Sequence, residues 1–264
     1  MDILRKSLAP ISEQAWEEIN EEAKDVLMAA LSARKVVGVE GPKGIDTASV
    51  SIGELDVPGN QKKSDVQYGI HKTLPLMEVR MPFSLNIWEL DNLTRGSETI
   101  DVDNLIDAAK KLADFEENVI YNGFSKAGIT GLLKASEHPT MSMGNNVDGL
   151  MDVITKAMIT FKSEGIEGDF NLVVSNDLYT KINAQSKGYP LRRHILETIG
   201  GKIIPADKIN GAVLLADDDD AFKMTLGQDI AIGYEAHDQK NVQLYFTESF
   251  TFRVIDPAAV IVIE

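Results

Sequence analysis

The sequence predicts an α+β fold. Three observations carry it. Two long segments in the first half place apolar residues three and four apart, the spacing of an amphipathic helix. Between them lies a stretch of loosely alternating apolar and polar residues, the period of a strand. The second half is mostly short apolar runs broken by Gly, Asn and Asp.

In chain order, Pro10 and Ser12 announce the first helix. Ser12 can accept free N–H groups at its start, and Glu13 suits its positive end. Trp16, Ile19, Ala23, Val26 and Ala30 form its stripe, which ends near Leu31; Arg34 and Lys35 follow at the negative end. "VVGVEGPKG" reads as a strand and a turn. From Thr47 to Pro82 the pattern predicts a two-stranded ribbon with the polar tip "PGNQKKSD". Such a ribbon is marginal alone and needs a surface to lie on. The second long helix follows, with Asp101 or Asp103 as cap and Gly123 as stop. It carries Leu105, Ala108, Leu112, Phe115 and Val119 on one stripe. Residues 147–163 read as a helix, "FNLVVSN" as a buried strand, and "DLYTKINAQ" and "HILETIGG" as short helices. The remainder, from "KIIPADKI" to "AAVIVIE", reads as strands.

Composition narrows the function. The 264 residues are 44% hydrophobic, enough for a sizeable core. The formal charge of −15 argues against a general nucleic-acid binder or a lipid-docking protein. The chain has no cysteine, which excludes disulfides, thiolate metal sites and thiol catalysis. No apolar stretch is long enough to span a membrane. A soluble cytoplasmic protein is the expectation.

Candidate chemistry is sparse. Asp114, Glu116 and Glu117 cluster in "LADFEENVIYNG". A carboxylate-bridged metal bundle would add a Glu-x-x-His, and no His accompanies them, so a polar helix face or subunit contact is favoured. "GFSKA" around Ser125 approaches a nucleophile elbow, but that motif needs a strand before the serine, and a helix is expected here. His71, His138, His194 and His237 are scattered without ligand spacing. "ADDDDA" lacks the alternation of a calcium loop and reads as a solvated turn. The residues thus point to a structural or assembly role, not an enzyme.

Several stretches, in order along the whole chain, resemble the encapsulins, nanocompartment shell proteins of bacteria and archaea. These are "RKSLAPISEQAWEEI", "ARKVVGVEGPKG", "LPLMEVRMPFSLNIWELDN", "FEENVIYNG", "GIEGDFNLVVSNDLY", "LGQDIAIGYE" and "FTESFTFRVIDPAAVIVI". The likeness is to the small-shell, family 1 type. It implies the tailed-bacteriophage major capsid protein fold. Residues 1–46 would start the peripheral domain, 47–74 form the extended loop, 75–137 carry the spine helix, 138–222 form the axial domain, and 223–264 return to the peripheral domain. It implies a homo-oligomer closing into a sixty-subunit icosahedral shell. That shell would enclose an enzyme, a ferritin-like protein or a dye-decolorising peroxidase, held by its C-terminal targeting peptide, for iron storage or oxidative-stress protection. A prophage capsid protein packaging DNA is the alternative; the helix starting at Ser12 favours the shell.

The resemblance also assigns residues. Leu31, Arg34, Asp229 and Ile230 fall on positions that line the cargo-peptide groove. Arg80, Trp88, Tyr189 and Pro190 fall on positions that hold a flavin (FMN) in some relatives; no cofactor is required. Ser186, Lys187, Gly188 and Tyr189 fall on the loop that lines the five-fold pore.

Overall fold

A computed structural model describes residues 3–63, 65–144, 149–185 and 188–264. Two four-stranded sheets, each with its own helices, account for most of the core.

Helix α1 spans Glu13–Ala30, and the Ser12 hydroxyl accepts from the Ala15 N–H at 3.2 Å. That satisfies one of the helix's free donors. Strand β1 is Gly38–Glu40, and the ribbon is β2, Ser49–Asp56, against β3, Ile70–Pro75. The ribbon is shorter than its sequence pattern predicts. The next strand, β4 at Met77–Asn86, leaves it and pairs in register with β9. Helix α2, Ile87–Thr94, falls where no separate helix is expected, and Asn86 caps it. The long helix α3 runs from Asp103 to Asn122, with Asp101 accepting from the Asp103 N–H. It stops at Gly123, whose φ is 84°. A Cβ there would stand 2.7 Å from the Gly131 nitrogen, so only glycine lets the two chain segments approach.

After the short α4, Leu132–Ala135, the second half begins with α5, Leu150–Ser163; residues 147 and 148 of the expected helix lie outside the described residues. Strand β5, Phe170–Ser175, is followed by α6, Asn176–Ala184, and α7, Leu191–Ile199. These lead back to β6, Gly200–Ala206, parallel to β5. Strand β7, Ala212–Ala216, is antiparallel to β5. The long strands β8, Phe222–His237, and β9, Asn241–Val254, form a hairpin. At its tip the Asp238 carboxylate accepts from the N–H groups of Lys240 and Asn241, a side-chain mimic of a backbone turn. The last strand is β10, Val260–Ile263.

The first sheet has the order β1-β8-β9-β4 and the second β10-β7-β5-β6. Residues 223–264 therefore do not stay together. Strands β8 and β9 belong to the first sheet, and β10 crosses to pair with β7. The run "VIVI" is buried throughout, which suits a strand covered on both faces. Helix α3 joins the two cores: Leu105, Ala109 and Leu112 pack with α1 and the first sheet, Val119, Ile120 and Tyr121 with the second core.

Candidate functional site

Between α1 and the far half of β8 lies a cleft of about 470 Å³. Ala23, Leu27, Met28 and Leu31 form one wall, Ile230 and Ile232 the other, and Phe246 of β9 lies at its base. Ala23, Leu27 and Leu31 follow one another at four-residue steps along α1 and its C-cap, a different line from the expected Trp16-to-Ala30 stripe, and Asn20, Lys24, Lys6 and Lys35 add polar groups to the lining. Met28 is 62% exposed on it.

Arg34 and Asp229 close one end. Arg34 stands on a single 3-10 turn, Ala33–Lys35, that ends α1. Asp229 and Ile230 sit where β8 carries one residue more than β9, between the pairs Gln228↔Ser249 and Ala231↔Thr247. A bulge of this kind re-aims side chains, here toward the cleft. The Asp229 carboxylate accepts from its neighbour's N–H and from Arg34 Nη1, both at 2.8 Å.

Behind the cleft is a buried acid cluster. Arg34 donates to Glu116 from Nε and Nη2, at 2.8 and 2.7 Å, and from Nη2 to Glu248 at 2.6 Å. With the bond to Asp229, four of its five N–H groups are engaged by described residues, and one on Nη1 is not. Burial opposes the guanidinium charge, but Glu116, Glu248 and Asp229 more than offset it and hold the proton more tightly than usual. Glu248 is fully buried, and burial with the Glu116 carboxylate nearby pushes its pKa well up; its second oxygen has no partner among the described residues. Glu117 accepts from the Ala33 N–H at 2.8 Å and from the Ser32 hydroxyl, which also meets the Tyr121 hydroxyl at 2.9 Å. Burial first, and Glu116 second, push Glu117 up to about 7 against the pull of those hydrogen bonds.

The expectation for "DFEEN" as a polar helix face is corrected for two of its three acids. Glu116 and Glu117 are buried, and only Asp114 faces solvent, paired with Lys208 at 2.8 Å. The reason is geometric. Glu116 lies four residues after Leu112 and four before Ile120, and Glu117 four after Ala113, so both continue the apolar stripes. That spacing is the signal in the sequence that both acids are buried. Glu248, between Phe246 and Phe250 in an alternating strand, gives the same signal.

All four expected groove residues, Leu31, Arg34, Asp229 and Ile230, line this one cleft. The expected flavin residues fall in two places. Trp88 is 70% exposed on α2, and Arg80 of β4 donates to Glu78 while its guanidinium stands 4.8 Å from the Tyr245 ring centre. Tyr189 and Pro190 precede α7 beside the second sheet, and the Tyr189 hydroxyl donates to Glu197. No hydrogen bond or ring contact among the described residues joins the two pairs. Of the expected pore residues, Gly188 and Tyr189 are exposed, and Ser186 and Lys187 lie outside the described residues. Ser125 begins a 3-10 turn after α3, the helix-first context that the elbow motif excludes.

The chain matches, over residues 1–251, the family described as encapsulating protein for peroxidase. It is 36% identical over 262 residues to the type 1 encapsulin shell protein of Rhodococcus erythropolis, covering 99% of both chains. It is 37% identical over 253 residues to that of Mycobacterium tuberculosis, covering 96% of this chain and 95% of the other. The chain belongs to the type 1 encapsulin shell proteins. Among solved structures this encapsulin superposes on a virus-like particle from Pyrococcus furiosus with TM-score 0.66 at 18% identity, covering 94% of this chain and 99% of that one. It also superposes on the capsid of Myoviridae phage XM1 with TM-score 0.57 at 14% identity, covering 88% of this chain and 90% of that one. The fold of the encapsulin is therefore that of tailed-phage capsid proteins, with β2–β3 as its projecting ribbon and α3 as the helix that runs through both cores.

Proposed function

We propose that copies of this encapsulin close into a hollow, capsid-like shell, about sixty to a particle on the family pattern, and that the cleft beside α1 holds the C-terminal targeting peptide of an enclosed enzyme. A single observation supports the peptide reading best: a cleft with apolar seats from Leu27, Met28, Leu31 and Ile230, edged by Lys6, Lys24 and Lys35, ends in the Arg34 guanidinium and the half-exposed carboxylate of Asp229. An extended peptide needs such apolar seats and a few fixed polar partners. A peroxidase is the cargo class that the family description favours, and a ferritin-like protein is the other. Oxidative-stress protection or iron storage would follow from that cargo, in the cytoplasm. On the same pattern the turn containing Gly188 and Tyr189 would border a pore.

The ribbon supports the shell. Leu55, Val57, Tyr68 and Ile70 are each more than half exposed. Side chains of this kind in a two-stranded ribbon call for a second copy to cover them.

The rival reading is a capsid that packages DNA, since phage capsids share the fold. The formal charge of −15 disfavours it. Electron microscopy of the purified protein, co-expressed with a peroxidase carrying its native tail, tests both. Round shells that retain the peroxidase and lose it when the tail is cut support the proposal. Shells filled with nuclease-protected DNA, or a monomer at physiological salt, overturn it.

A further inference from the structure

A second concave site lies at the root of the ribbon. A groove of about 290 Å³ is lined by Thr47, Ser49 and Ser51 from the ribbon base and by Lys43, Lys223 and Arg253. Lys223 and Arg253 are directly opposite one another across β8 and β9. Two cations so placed repel, and like charges directly opposite destabilise a strand pair unless an opposite charge lies between them. The core side of the same strands is filled by Met224 and Phe252, both fully buried, so the two cations share the opposite face.

The compensation within the chain is incomplete. Lys223 reaches Asp220 at 3.0 Å, and Lys43 reaches Glu40 at 3.0 Å; both carboxylates are at least half exposed. Arg253 makes no hydrogen bond or ion pair with a described residue. Nor do the Thr47, Ser49 and Thr225 side chains, which line the same groove. A second observation comes from beneath. Thr251 pairs with Thr225 across the strands, shares the cationic face, and is 1% exposed, and its hydroxyl has no partner among the described residues. This part of an acidic chain therefore gathers cationic and hydroxyl donors from three directions, with Glu40 as the one carboxylate on its lining.

We propose that this groove binds a tetrahedral oxyanion of the phosphate class. Such an anion accepts several hydrogen bonds at once and suits a fork-shaped guanidinium beside ammonium groups and hydroxyls. A carboxylate from a neighbouring copy has fewer acceptor directions and has to enter between the ribbon base and the sheet.

The test uses the assembled shell and inorganic phosphate, by calorimetry at fixed ionic strength with chloride as the balancing anion. That balance removes general screening. Saturable binding is expected, with affinity at least tenfold weaker in Arg253→Gln and in Lys223→Gln. Phosphate should also raise the unfolding midpoint of the wild-type shell more than that of the variants at the same concentration, by mass action. Thr225→Val serves where a charge variant fails to assemble; it keeps every cation and should still weaken binding. Absence of saturable phosphate binding in the wild-type shell overturns the proposal. So does binding that all three variants leave unchanged. Variants that prevent assembly of a shell that binds no phosphate would instead assign the groove to a contact between copies.

Discussion

Arg34 and Glu116 meet fork to fork behind the cleft, Nε to Oε1 at 2.8 Å and Nη2 to Oε2 at 2.7 Å. One guanidinium thereby ties the end of α1 to the middle of α3, and through Glu248 and Asp229 to β9 and β8. The residue expected to greet a ligand is mainly a structural cross-tie, with one face turned to the cleft.

Replacing Arg34 and replacing Asp229 should therefore have different consequences. Arg34→Ala leaves two buried carboxylates without their cation, and removing one partner of a buried pair costs about 3–5 kcal/mol. Asp229 is 51% exposed, so Asp229→Ala should cost no more than about 1 kcal/mol of stability. Both should reduce cargo loading. Denaturant midpoints and the ratio of cargo to shell on a gel separate the two effects. Equal stability loss in both variants, or undiminished loading in the double variant, would contradict the arrangement.

This division was partly legible in the sequence. The apolar stripe of α1, the ribbon and the buried strands follow from periodicity, because each has a face that must be hidden. The four groove residues came from family likeness, since nothing local in "ARK" or "GQDIAI" says that they meet. Long-range pairing is what a single sequence conceals: Arg34 and Glu248 are 214 residues apart. The crossing of β10 into the second sheet is hidden for the same reason. The acids Glu116 and Glu117 are hard to place from sequence because their charge points outward while their position on the apolar stripes puts them inside. Helix α2 is too short for its period to stand out beside the strand that precedes it.

The acid cluster predicts a pH dependence. Glu117 is raised from 4.5 to about 7 in the fold, chiefly by burial. A carboxyl with a raised folded value favours folding while protonated. That contribution is full below pH 4.5 and is lost as pH rises through about 7. Glu248 acts in the same direction. Wild-type stability should decline across this window relative to Glu117→Gln, by on the order of 3 kcal/mol at full amplitude. Denaturant unfolding of the two proteins at a series of pH values measures the gap. A gap that stays constant with pH would show that Glu117 does not titrate there.

The apolar wall of the cleft can be tested without touching the acids. Ile230 is only partly buried, so Ile230→Ala should leave the unfolding midpoint nearly unchanged. If a peptide side chain covers it, the loss of contact is about 1 kcal/mol, or roughly fivefold in affinity. Fluorescence anisotropy of a labelled cargo tail on empty shells reads this directly. Equal affinity in the two shells would place the peptide elsewhere.

The ribbon should govern assembly rather than subunit folding. Leu55 and Ile70 are 51% and 62% exposed. Replacing both with lysine removes apolar cover without disturbing the two cores. The variant should keep its circular dichroism but sediment as small species instead of shells. Shells of normal size and thermal midpoint from the double variant would mean that the ribbon's apolar residues take no part in contacts between copies.

The flavin assignment is the most exposed to refutation. The Trp88 ring is 70% exposed on α2 and can stack on an isoalloxazine, whereas Arg80 lies six residues before Asn86 in the unbroken strand β4, about 20 Å of strand from the start of that helix. Arg80 is also partly spent on Glu78, and Tyr189 is spent on Glu197. The second pair sits beside the other sheet, so a flavin touching both pairs would have to bridge the two cores or two copies of the chain. We propose that any such site is completed by assembly. Adding FMN to shells should then quench Trp88 fluorescence, and the quenching should disappear in Trp88→Phe, which leaves only Trp16 to emit. Arg80→Ala should weaken binding without changing assembly. Disassembled subunits should not bind at all. Shells that remain unquenched at saturating FMN would remove the flavin from this protein, and quenching that persists in Trp88→Phe would remove it from this site.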